Sequence, residues 1–226
     1  MAYKTFCYLV AVSFFLALPV NAAILGSVEE FSSPGTNGWA GGALLSNPGT
    51  GGVNGAGDGY LSISRSFAAN LGAHSNTELN YKGNWIEAGI GAVTFYLNDV
   101  ATDEVFEFHL LLSDGQSGFG KTTYQYNTGF DPPNNSWQQY TVDFSDPADW
   151  TKTRGTASFE SVLQNVDVLH FRHDLVPYIS SPNSILGDLG IDHISLVPEP
   201  STAILMAIGF SALSMTRCFV RRVTNG

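Results

Sequence analysis

The chain has 226 residues, 44% of them hydrophobic, and its twenty Asp and Glu against ten Lys and Arg give a net charge of −10. From Glu29 to Glu199 the imbalance grows to twenty acidic against six basic residues, or −14, which disfavours nucleic acid and anionic membrane surfaces as partners. Both cysteines, Cys7 and Cys218, fall in the terminal segments, so the body between them has no thiol nucleophile, disulfide or Cys-ligated metal.

The first segment reads as a secretory signal peptide. Lys4 supplies a charged start, Phe6 to Leu18 is an apolar run, Pro19 breaks it, and Val20-Asn21-Ala22 gives the small residues that signal peptidase requires. Cleavage is expected after Ala22 or Ala23. Residues 23–197 then form about 175 residues of body, enough for one domain with its own core.

Ser27 to Phe31 is a short strand candidate. Between Pro34 and Gly59 ten glycines exclude a helix and predict a long loop or a set of tight turns. Alternation then predicts strands over Tyr60 to Arg65 and over Val93 to Leu97, with Val93, Phe95 and Leu97 inward. In Val105 to Leu112, Phe106, Phe108, Leu110 and Leu112 form the core face, and Glu107 and His109 point the other way. Lys121 to Tyr126 is a further strand, and Asp131 to Asn135 is a loop. Tyr140, Val142 and Phe144 alternate with Thr141 and Asp143. Ser158 caps a short helix over Phe159 to Asn165, and strands over Val166 to Arg172 and Ile191 to Val197 close the body. Short strands separated by turn signals predict an all-β fold, an antiparallel jelly-roll-like β-sandwich with one short helix.

The last segment, 198–226, has three parts. Pro198-Glu199-Pro200 resists helix and makes an extended linker. From Thr202 to Val220 the chain is apolar enough to form a transmembrane helix across about 30 Å of hydrocarbon. Arg217, Arg221 and Arg222 follow and stop transfer on the cytoplasmic side. This order of parts closely resembles the PEP-CTERM sorting signal. The resemblance implies recognition of Pro198, Glu199 and Pro200 by an exosortase, transient anchoring in the inner membrane, and a secreted or cell-surface destination in a Gram-negative, exopolysaccharide-making bacterium. A plain single-pass anchor is the simpler alternative.

The stretch from Trp137 through Tyr140, Val142, Phe144, Trp150, Val162, Leu163, Leu169, Phe171 and Arg172 to Ile191-Asp192-His193-Ile194-Ser195-Leu196 resembles the C-terminal half of laminin B (laminin IV) and galactose-binding-like jelly rolls. Phe171 stands where that pattern usually has Ile, and His193 where it often has Asn. The resemblance implies core positions for Trp137 and Trp150. It also implies a structural Ca²⁺, for which Asp58, Asp188 and Asp192 are loose candidates, although no EF-hand spacing is present.

The chemistry of a site is less marked. Gly-x-Ser-x-Gly, His-Glu-x-x-His and phosphate-loop patterns are absent, and among twenty carboxylates some glycosidase-like pair is inevitable and so uninformative. His170 and His173 fall on opposite faces of one strand and cannot share a metal from it. Sugar binding needs aromatic platforms beside polar groups, and Trp85, Tyr96, Tyr124, Tyr126, Trp137 and Trp150 are available. If their strands are neighbours, Tyr96, Glu107 and His109 share a surface, with Arg172 as a further polar candidate. The expectation is a non-catalytic carbohydrate-binding or adhesion module of the exopolysaccharide matrix. The alternatives are a purely structural matrix protein or a glycoside-active enzyme.

Overall fold

The structure is a computed structural model that describes residues 23–76, 79–100, 105–114 and 121–198. The expected signal peptide as far as Ala22, together with Glu199, Pro200, the apolar stretch, Arg217, Arg221 and Arg222, lies outside these residues. Twelve strands are described: β1 (Val28–Glu29), β2 (Trp39–Ala40), β3 (Leu44–Ser46), β4 (Leu61–Asn70), β5 (Gly72–Ser75), β6 (Ile90–Asp99), β7 (Phe108–Asp114), β8 (Thr123–Tyr126), β9 (Gln138–Asp143), β10 (Trp150–Arg154), β11 (Val166–His173) and β12 (Ser184–Pro198). Among the described residues one α-helix, α1 (Phe159–Leu163), is capped by Ser158, whose Oγ accepts the Ser161 N–H, and two short 3-10 turns lie at Leu79–Tyr81 and Pro147–Asp149.

The strands form two antiparallel sheets. Sheet A has the order β3-β4-β12-β6-β9, with β1 also paired to β12, and sheet B has the order β10-β8-β7-β11-β5-β2. Neighbours that are distant in sequence, such as β4 beside β12 and β11 between β7 and β5, make this a jelly-roll-like sandwich rather than a meander. The fold is therefore the one expected from strand alternation.

Alternation also sets the core. Leu61, Ile63, Val93, Phe95 and Leu97 face inward from sheet A, and Phe108, Leu110, Leu112, Leu169 and Phe171 from sheet B, all at 0% exposure. Phe95 meets Phe171 across the layers with ring centroids 4.8 Å apart, close to edge-on. In β12 the inward parity changes from Leu189 and Ile191 to Ile194 and Leu196. A period of two allows this only through an extra residue. The register slips between Asp192 and Ser195, and His193 takes φ +50°.

Several elements depart from the expectations. The glycine-rich region is mostly turns but contributes β2 and β3 to the two sheets. β5 and β10 carry no clean alternation, and their pairing partners define them. Pro198, assigned above to an exposed linker, ends β12 opposite Ile90. Trp85 (0% exposed) and Trp150 (6%) are core residues. Trp137 is not: it sits half-buried on the outer face of sheet A against Tyr60, and its Nε1–H donates to Gly51 O.

Candidate functional site

The two outer faces of the sandwich are finished differently. On sheet A the glycine-rich loop folds over β12 and is fastened by side chains. Asn47 Nδ2 donates to Phe31 O and Ser33 O, Val53 N–H donates to Asp192 Oδ2 (2.9 Å), and Asn54 N–H donates to Asp58 Oδ2 (2.8 Å). Asp58, Asp192 and His193 offer ligand atoms within 4.8 Å of one another. Around Gly52 three oxygens converge, Gly59 O, Asp58 Oδ2 and Asp192 Oδ2, where a side chain would collide. Burial pushes the Asp192 carboxyl up to about 6, and the neighbouring charge of Asp58 adds to the rise, against the N–H bonds from Val53 and His193. Two carboxylates facing each other in a dry place call for a proton or a cation, so this part of the set fits a metal. Asp188 does not belong to it. It pairs opposite Ser64, four strand residues or about 13 Å from Asp192.

The expected patch of Tyr96 with Glu107 and His109 does not form. Tyr96 is on β6 in sheet A, beside His193, whereas Glu107 and His109 belong to the β7 side of sheet B. The two strands are not neighbours, so their outward faces look away from each other. Glu107, His109 and Arg172 do share a face, but a strap of residues 174–183 covers them. Arg172 Nη2 donates to Asp174 Oδ2 (2.7 Å), Gln125 Oε1 (2.7 Å) and Ile179 O (2.6 Å). Tyr178 Oη donates to Glu107 Oε1 and Asn127 O, and its ring packs on His109 at 4.7 Å. Burial, aided by the bond to Glu107, pushes the Tyr178 hydroxyl up to about 12. These groups hold the strap down. They are a closed polar network, not an open ligand surface.

Beside the strap, sheet B is open. A groove of about 500 Å³ runs over β10, β8, β7, β11 and β5. Its floor carries Leu111, Ser113 and Thr123, with Val168, His170 and His74 beside them. Arg172 and Ser180 wall it on the strap side, and Lys82, Lys121, Arg154 and Asp167 line it elsewhere. A second hollow of about 260 Å³ shares His74, His170, Arg172 and Ser180, extending the groove past the strap. His170 lies opposite His74 in the β11–β5 pair, their rings 5.6 Å apart. His173 points to the other face, between Phe106 and Phe108, as strand alternation requires. Burial holds both groove histidines below their ordinary value, His170 well below it. The charge of His74 then acts most on His170, and that of Lys121 most on His74.

Sequence reasoning missed this groove. Its side chains come from five strands, two of them not recognised as strands, and from the connecting segments that carry Asn76, Lys82, Lys121 and Ser180, so no single segment carries its pattern.

No protein-family model matches the chain, and no curated protein matches it either. Solved structures do match. An exo-β-agarase aligns over 77% of this chain with a TM-score of 0.52 and 16% identity. The chain spans about a quarter of that protein's length, 25%. A solution structure of CtCBM11 aligns over 77% of this chain and 96% of its own, with a TM-score of 0.50 and 17% identity. The family 11 carbohydrate-binding module from Clostridium thermocellum, in complex with a mixed-linked tetrasaccharide, aligns over 78% and 98% with a TM-score of 0.48 and 16% identity. At such identities the likeness to the agarase and to CtCBM11 establishes the fold alone, a β-sandwich of the jelly-roll kind.

The groove histidines give a pH dependence whose sign is fixed. The unfolded chain takes up a proton at His170 near pH 6.5, and the folded chain resists it. That contribution to stability is complete above pH 6.5 and is lost as the pH falls. Denaturant unfolding from pH 7.5 to 5 should show declining stability, and His170→Gln should flatten the decline. An equal slope in wild type and variant contradicts the assignment.

Proposed function

We propose that the chain is a secreted, non-catalytic carbohydrate-binding module that holds a glycan in the groove across the outer face of sheet B. The observation that carries this is the groove itself, about 500 Å³, open along a rigid floor of strand residues and walled by hydrogen-bonding side chains. The fold it is built on is shared with CtCBM11, whose structure is described together with binding studies. Among the described lining residues one carboxylate occurs, Asp167, and it is paired with lysine, which supports binding over two-carboxylate glycoside chemistry. Retention in polysaccharide affinity gels is the test. At least one glycan should retard the protein, Val168→Trp should abolish the retardation without lowering the melting temperature, and Tyr96→Ala on the opposite face should leave it intact. Binding that survives the Val168 change, or none to any glycan, contradicts the proposal.

The same reading includes delivery. Signal peptidase removes residues 1–22, and an exosortase acts at Pro198-Glu199-Pro200, placing the module on the cell surface or in an exopolysaccharide matrix. The order of tripeptide, apolar span and basic tail supports this. Mass spectrometry of the mature protein, made with and without an exosortase, should show C-terminal shortening only in its presence. An intact C-terminus in both contradicts it.

A structural calcium ion between Asp58 and Asp192 completes the proposal, supported by their close approach and by the oxygens gathered around Gly52. Its chemistry there is charge neutralisation, which fastens the loop to β12. Calcium at a hundredfold excess over its Kd should raise the melting temperature by about 5–10 °C, reversed by chelator and absent in Asp58→Asn. No shift on adding calcium contradicts the site.

A further inference from the structure

We propose that the groove is built for an anionic glycan, a polysaccharide bearing carboxylates, and that Lys82 and Lys121 receive its acid group. This rests on the binding-module reading above and names the class of its ligand.

The distribution of charge is the first ground. Between Glu29 and Glu199 the chain has six basic residues, and four of them, Lys82, Lys121, Arg154 and Arg172, line this one groove. Of twenty acidic residues in the same span, Asp167 alone is among the described lining residues. A neutral glycan needs no such concentration of cations on a body of charge −14.

The second ground is how those charges are paired. The Arg172 guanidinium is matched by buried Asp174 at 2.7 Å and carries no net charge into the groove. Lys82 and Lys121 instead both lie beside Asp167. Lys82 Nζ lies 3.2 Å from Asp167 Oδ1, and Lys121 Nζ lies 4.0 Å from Asp167 Oδ2. Asp114, buried and accepting the Thr122 N–H, also acts on Lys121. Arg154 adds a further basic side chain to the described lining. The lysine side chains are only 21% and 22% exposed, so their ammoniums have already lost part of their hydration. Burial accordingly lowers the Lys121 pKa despite its acidic neighbours, and the charges of Lys121 and Lys82 help to hold His74 neutral. A carboxylate that arrives here meets half-dehydrated donors, and it forms charge-assisted hydrogen bonds with less desolvation still to come.

The third ground is what the described lining residues offer. No Trp, Tyr or Phe lines the groove among the described residues. Neutral sugars are commonly held by stacking their apolar faces on such rings. Ser113, Thr123 and Thr153 offer hydroxyls instead, suited to the hydroxyl-rich edges of a sugar chain whose acid groups reach the lysines.

Isothermal titration with oligogalacturonate, mixed-linked β-glucan and xylan at 50 and 200 mM salt tests the inference. Oligogalacturonate should bind, more weakly at high salt, and the neutral glycans should bind at least tenfold less. Lys82→Gln and Lys121→Gln should each weaken binding by roughly tenfold. Asp167→Asn should strengthen it by releasing Lys82 and loosening the hold on Lys121, a gain that a purely structural role for these residues does not produce. Tight, salt-insensitive binding of a neutral glycan, unchanged in the lysine variants, overturns the anionic ligand and leaves the binding module standing. Acidic glycan binding unaffected by the lysine changes overturns the assigned site. Displacement by equimolar inorganic phosphate reduces the groove to a simple anion site and overturns the glycan. Binding of none of the three overturns both readings together.

Discussion

A guanidinium at 5% exposure governs the outer face of sheet B. Arg172 donates to Asp174, to Gln125 on β8 and to the carbonyls of Ile179 and Ser180, and so ties two strands to the strap that crosses them. Removing any one partner would leave part of a buried cation unsatisfied, which is far more costly than the pair is favourable. The strap's position is therefore tightly specified. Because it covers Glu107 and His109 but stops short of His170, the same face has a sealed half and an open half. The groove exists because the strap ends where it does.

The opposite sheet depends on its last strand. β12 lies between β4 and β6 and reaches β1 as well, so sheet A is complete only when the final fifteen-residue strand is in place. The slip at His193 turns β12 without breaking it. Leu189 and Ile191 pack before it and Ile194 and Leu196 after, while Asp192 is left facing the glycine-rich loop. Core packing and the proposed cation site thus share one distortion. His193 tolerates a left-handed backbone less readily than Gly or Asn would, and better than a β-branched residue.

Much of this architecture was legible in the amino-acid order, because a half-buried strand writes its two faces into alternate residues. Phe106, Phe108, Leu110 and Leu112 were assigned to the core and are there, and α1 announced itself through Ser158 and the spacing of Phe159, Val162 and Leu163. β5, with Gly72-Ala73-His74-Ser75, was missed because its residues are small or polar and only its partners make it a strand. The site was less legible still. Neighbouring strands in a jelly roll are distant in sequence, and alternation says which side of a strand a residue faces but not which sheet the strand joins. That ambiguity joined Tyr96 to Glu107 and His109, and it hid the convergence of Lys82, Lys121 and Asp167 from three separate segments.

The central claim is that ligand lies on the open half of sheet B. The most direct measurement is a backbone amide NMR titration of the isotope-labelled protein with an acidic oligosaccharide. Shifts are predicted at His74, Ser113, Thr123, Asp167 and His170, fading toward the strap-covered Glu107. Shifts centred on Tyr60, Tyr96 and Trp137 would place the ligand on sheet A and contradict the account.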